Sequence, residues 1–129
     1  MVDGAHTERS AAALADALAC VPRRHTRLVV SISADKRLEA ILARLLPIAD
    51  EVFVTRAEPV RSLDPAQLAR TVRALAPALS LHTVPNPVMA VRAACEGLGE
   101  DDLLLVTGSV YLAGIARRIL RSRALESGV

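Results

Sequence analysis

Apolar residues recur along the chain with two alternating periods, and the alternation itself predicts an architecture. Residues 8–20 place Ala11, Leu14, Ala15, Leu18 and Ala19 on one helical face, with Thr7 as the N-cap. Leu28-Val29-Val30-Ser31-Ile32 follows as a short β-branched run, the pattern of a strand buried on both faces, and its charged approach over residues 23–27 reads as a loop. A second helix carries Leu38, Ile41, Leu42, Leu45 and Leu46, capped by Asp35 and ending near Pro47. Glu51-Val52-Phe53-Val54-Thr55 is the next strand, followed by a polar connection over residues 56–62.

The clearest helix start is Leu63-Asp64-Pro65-Ala66-Gln67-Leu68: Asp64 is the N-cap, Pro65 the first helical residue, and Leu63 with Leu68 a hydrophobic staple. That helix is expected to reach Ala76. Leu81-His82-Thr83-Val84 makes a short strand, and Asn86-Pro87 opens a helix that Gly97 ends. Leu103-Leu104-Leu105-Val106-Thr107 is the strongest run and is expected to be the central strand. Past Gly108-Ser109, a last helix turns Leu112, Ile115, Ala116, Ile119 and Leu120 to the sheet.

Such alternation predicts one α/β domain over residues 1–129, a three-layer, Rossmann-like, mostly parallel sheet flanked by helices. Apolar residues make up 52% of the chain but aromatics 2%, so the core is built from Ala, Leu, Val and Ile. Cys20 and Cys95 fall in apolar helical contexts and are expected to be buried free thiols. Sixteen basic against 14 acidic side chains give a net charge of +2, weak grounds for a polyanionic partner. Arginine clusters at residues 23–27 and at Arg117, Arg118, Arg121 and Arg123 leave nucleic-acid binding as a minor alternative, with Phe53 and Tyr111 alone for base stacking. Asp3 and Glu8 interrupt the opening, and no apolar run approaches a bilayer span, so a soluble cytoplasmic protein without a membrane partner is expected. A helix comes first where a parallel unit calls for a strand, with Met1-Val2 alone to supply it. The chain is therefore expected to begin just inside a domain boundary.

Chemistry-bearing residues gather where strands run into helices, the end of an open α/β sheet that binds ligands. Asp3 and His6 form either an imidazole-orienting or ribose-binding pair, or a strand end and a cap. Asp35 is a cap or a site residue; Lys36 and Arg56 either reach an anion or are solvated. Ser109, between Gly108 and a helix, cradles an anion or serves only as N-cap. Tyr111 either packs with a hydrogen-bonded tip or serves as an acid or base, and stands with Ser109 as a candidate substrate contact. The three histidines have no local metal-ligand spacing, so no metal site is expected. Neither G-x-x-x-x-G-K-[ST] nor G-x-G-x-x-G is present, so a principal phosphate grip must come from elsewhere. Ser109 lacks the G-x-S-x-G context and triad order of a serine hydrolase.

Asp3-Gly4-Ala5-His6-Thr7, Ser31-Ile32-Ser33-Ala34-Asp35-Lys36, the 50–56 stretch Asp-Glu-Val-Phe-Val-Thr-Arg and Val106-Thr107-Gly108-Ser109-Val110-Tyr111-Leu112-Ala113-Gly114 together resemble the C-terminal domain of folylpolyglutamate and dihydrofolate synthases, in the Mur ligase superfamily. The resemblance runs through the whole chain in order. It implies a Mur ligase C-terminal fold and an ATP-dependent amide ligase that joins glutamate to folate or dihydropteroate through an acyl phosphate, with ATP and Mg2+ in the full-length parent. It implies a partner, the N-terminal ATPase domain, in cis or as a separate subunit. Neither tight cofactor binding nor catalysis is expected of the isolated chain. By the same resemblance Asp3 contacts the ribose and His6 lines the phosphate or glutamate side. Asp35 and Lys36 close the site near the transferred phosphate, and Ser109 contacts glutamate. Two departures stand out: Ser31-Ile32-Ser33 where Gly-Ala-Leu is usual, and Arg37 where an acid commonly follows the lysine. A free-standing adaptor or a subunit of a split ligase is the alternative reading.

Overall fold

The computed structural model describes residues 7–34 and 37–126. Helices and strands alternate in them: α1 Glu8–Leu18, β1 His25–Val30, α2 Leu38–Leu45, β2 Glu51–Val54, α3 Pro65–Leu75, β3 Ser80–Thr83, α4 Pro87–Cys95, β4 Asp102–Thr107 and α5 Val110–Glu126. All strand pairs are parallel, and the order across the sheet is β3-β2-β1-β4. Leu28 stands beside Val52 on one side and Leu105 on the other, and Val30 beside Val54 and Thr107.

Because successive strand side chains point to opposite faces, each strand feeds two cores. Leu28, Val30, Val52, Val54 and Leu105 pack with Ala11, Leu14 and Leu18 of α1, Ile41, Leu42 and Leu45 of α2, and Leu68 and Val72 of α3. Val29, Phe53, Leu104 and Val106 pack on the other face with Ala90, Val91 and Ala94 of α4 and Leu112, Ala116 and Ile119 of α5. Each fully buried leucine or valine contributes roughly 1.5–3 kcal/mol. The expected three-layer α/β domain is therefore what forms.

Local signals place several ends as expected. Thr7 Oγ1 accepts the Ser10 N–H, Asp64 accepts from Ala66, and Asn86 accepts from both Val88 and Met89. Gly97 follows α4 at φ +69°, in the left-handed region that glycine favours.

Other expectations are corrected. β1 begins at His25, inside the supposed loop, because Glu51 accepts from the His25 and Arg27 side chains and Asp50 accepts the Thr26 N–H. Asp35 lies outside the described residues, and the N-cap position of α2 is Arg37, with no side-chain cap. That helix does not stop at Pro47 but tightens into a 3-10 turn, Leu46–Ile48. Among the described residues β4 is an end strand, not the central one; its apolar run reflects helices on both faces. Cys20 is exposed, since α1 ends at Leu18, while Cys95 is buried.

Candidate functional site

From β1 the chain steps outward to β2 and β3, then returns to place β4 on the other side of β1. The carboxyl ends of β1 and β4 thus flank a reversal of strand order, where loops splay apart and leave a crevice. A cleft of about 690 Å³ opens there, walled by residues 33–34 after β1, 58 and 60–62 after β2 and 108–111 after β4.

Gly108 makes the first wall possible. Its φ is +96°, and a Cβ on it would lie 2.5 Å from the Ser31 carbonyl oxygen. Ser109 then accepts the Leu112 N–H at 3.4 Å through Oγ and the Ala113 N–H at 3.1 Å through its carbonyl. The N–H groups of Val110 and Tyr111, at the start of α5, have no intrahelical acceptor and form the positive end of the helix dipole.

The opposite wall is a loop tied to itself and to β1. The Glu58 carboxylate accepts the Val60 and Arg61 N–H groups at 3.1 and 2.7 Å. Ser62 Oγ accepts the Glu58 N–H, and Ser62 pairs with Ser33 in an antiparallel bridge. Ala34 donates to the Arg61 carbonyl and Leu63 to that of Ile32, each at 2.8 Å. Arg61 is exposed, and no carboxylate among the described residues pairs with it. Val60, 87% exposed, and Tyr111, 54% exposed, form an apolar rim.

Of the residues singled out in the sequence, Ser109 and Tyr111 line this cleft. Arg56 follows β2 but is not among the lining residues; its N–H donates to the Pro85 carbonyl, and its buried Nε has no partner among the described residues. Asp3, His6, Asp35 and Lys36 lie outside the described residues. Glu58, Arg61 and Ser62 line the cleft and were missed, although their place just past a strand's carboxyl end was the available signal.

The other polar cluster sits at the amino end of the sheet. Glu51 Oε1 accepts from His25 Nε2 at 3.3 Å and Arg27 Nε at 3.2 Å, and Oε2 from His82 Nε2 at 2.6 Å, with the His82 ring stacked on Phe53. Burial alone would raise the Glu51 carboxyl, but the two imidazoles and the Arg27 charge outweigh it and hold it below the ordinary range. Arg27 also donates to the Ala94 and Glu96 carbonyls, fixing the end of α4. Among the described residues no group of three His, Cys, Asp or Glu is placed to hold a metal ion, and no helix is long and apolar enough to cross a membrane.

A parallel three-layer sheet whose strand order reverses beside a cleft, with a helix start on one side and an arginine that no carboxylate among the described residues pairs with on the other, defines an open α/β domain. The chain belongs to the Mur ligase family: the model for the Mur ligase glutamate ligase domain matches residues 1–110. Among solved structures it is similar to folylpolyglutamate synthase of Mycobacterium tuberculosis complexed with ADP and AMPPCP, at 32% identity and TM-score 0.80, over 91% of this chain and 28% of that one. The bifunctional folylpolyglutamate synthase/dihydrofolate synthase of Yersinia pestis is 27% identical, TM-score 0.78, over 92% and 27% of the two chains. The folylpolyglutamate synthase of Thermotoga maritima is 28% identical, TM-score 0.76, over 92% and 27%. No curated protein matches. The chain thus spans under a third of the length of these similar structures.

Proposed function

We propose that this chain is the C-terminal domain of an ATP-dependent amide ligase that adds glutamate to folate or dihydropteroate, and that its cleft holds the incoming glutamate. The observation that carries this reading is the pairing of the α5 start with Arg61 across a cleft at the strand-order reversal. A carboxylate there accepts helix-terminal N–H groups on one side and a guanidinium on the other. Holding glutamate by a carboxylate leaves its amine free to attack an activated acyl group, and the rim of Val60, Val110 and Tyr111 limits water around it.

The described residues do not fit a Mg2+ ion, and the sequence has no P-loop, so a separate ATPase domain supplies the metal and phosphate grip. In this reading Asp3 and His6 face the ribose and phosphates, Asp35 and Lys36 close the site, and Arg56 offers on the nucleotide side an Nε that has no partner among the described residues. Ser109 shapes the glutamate pocket as the cap of α5, and Tyr111 covers it.

Two measurements test this. The purified chain with ATP, magnesium, folate or dihydropteroate, and glutamate should yield neither ADP nor amide; product formation would overturn the division of labour. An amide-resolved NMR titration with L-glutamate should shift Arg61, Val110 and Tyr111 first. Shifts confined to the amino end of the sheet, or none at all, would refute the assigned pocket.

A further inference from the structure

We propose that Ser31 and Ser62 are positioning residues for the cleft: their buried hydroxyl pair holds the 57–62 loop, and Arg61 with it, in place across the cleft from the start of α5. The functional part of this inference rests on the reading that the cleft takes a carboxylate; the placement of the loop does not.

Ser31 is fully buried and Ser62 is 6% exposed. A hydroxyl in such surroundings is retained at a cost unless it is bonded, and both are. Ser31 Oγ donates to Ser62 Oγ at 3.2 Å and accepts the Ala57 N–H at 3.1 Å. Ser62 Oγ also accepts the Glu58 N–H at 3.0 Å. The pair therefore satisfies two consecutive backbone donors that belong to no helix or strand.

Ser31 touches both walls at once. Its carbonyl oxygen lies where a Cβ on Gly108 would be crowded at 2.5 Å, so its backbone abuts the lead-in to α5. Its side chain bonds to Ser62 and to the Ala57 N–H, in the loop that carries Arg61. Glu58 already fixes the internal turn by accepting from Val60 and Arg61. Backbone bonds from Ala34 to Arg61 and from Leu63 to Ile32 tie the far end of that turn, and the hydroxyl pair ties its near end at Ala57 and Glu58, so that the two together place it relative to α5.

The test uses the whole chain as wild type, Ser31→Ala, Ser62→Ala, their combination and Ser62→Thr. Hydrogen exchange is read at single amides, and L-glutamate binding by NMR titration. Each alanine variant should speed exchange of the Ala57 and Glu58 amides about ten-fold relative to Val52–Val54, the loss of one ordinary hydrogen bond. The double variant should add little to either single one. Glutamate affinity should fall several-fold in step, and Ser62→Thr should restore both protection and affinity. Unchanged exchange at Ala57 and Glu58 would overturn the proposal. So would lost protection with unchanged glutamate affinity, which is what a merely structural pair would give. If wild type binds no glutamate, the carboxylate reading fails separately, and exchange at the two amides still decides whether the pair places the loop. Should Ser31→Ala not fold, Ser62→Ala, at the loop end of the pair, decides.

Discussion

Replacing Gly108 with alanine measures how closely the lead-in to α5 crosses the end of β1. At φ +96° the backbone is in a region that an L side chain enters at a cost of roughly 1–2 kcal/mol. The added Cβ would lie 2.5 Å from Ser31 O and 3.0 Å from Val30 Cγ2. Both neighbours are fully buried and one is backbone, so neither can yield by swinging a flexible tip. Overpacking of this kind costs about 1–3 kcal/mol, and the two contributions together come to roughly 2–5 kcal/mol. Gly97 separates them: its φ is +69°, but a Cβ there meets nothing within 4 Å. Gly97→Ala should therefore show the backbone cost alone, roughly 1–2 kcal/mol. Gly114, inside α5 and equally open, should become more stable as alanine by about 0.5–1 kcal/mol.

Urea unfolding followed by far-UV circular dichroism distinguishes these cases. With a slope of about 2 kcal/mol per molar urea, Gly108→Ala should lower the midpoint by about 1–2.5 M and Gly97→Ala by about 0.5–1 M. Equal losses at Gly97 and Gly108, with native spectra for both, would refute the close approach to Ser31.

Acid stability gives a second test. Glu51 is held below the ordinary carboxylate range by His25, His82 and Arg27 against the opposing effect of burial. Asp102 is held low chiefly by the Gly99 N–H, with burial opposing and Arg24 assisting. A carboxyl with a depressed folded pKa contributes stability above its unfolded value and loses it as pH falls through the folded one. Stability should therefore drop below about pH 4, and Glu51→Gln should flatten that limb in urea melts taken across pH; an unchanged limb would contradict the assignment. Asn86→Ala should cost about 1–2 kcal/mol, because one Oδ1 accepts both Val88 and Met89 N–H groups. Asp64→Ala, where a single N–H is capped, should cost less in the same unfolding assay.

What the sequence reveals of this fold is what short-range physics controls. Thr7, Asp64 and Asn86 act through N–H groups two or three residues away, and the apolar periods report faces that each element buries by itself. The start of β1 is hidden because its polar residues are satisfied from another strand: Glu51 serves Arg27 across 24 residues of sequence. Nor does an apolar run reveal rank within a sheet. β4 is covered on both faces by helices, and that alone produces Leu103-Leu104-Leu105-Val106, whatever stands beside it.

The cleft divides in the same way. Ser109 and Tyr111 were legible because a glycine-led helix start announces itself within a few residues, whereas the opposite wall depends on contacts such as Ser31 to Ser62, 31 residues apart. Its charge is equally illegible. By count, residues 56–62 hold Arg56, Arg61 and one acid, Glu58, which suggests a nearly balanced polar connection. In the fold the Glu58 carboxylate is occupied by two N–H groups of its own loop, and Arg56 is outside the cleft lining. Arg61 is left as the loop's cation at the cleft, opposite the positive end of α5. The charge that the loop presents to the cleft thus comes from which groups the hydrogen-bond network consumes, and no tally of side chains along the segment contains that information.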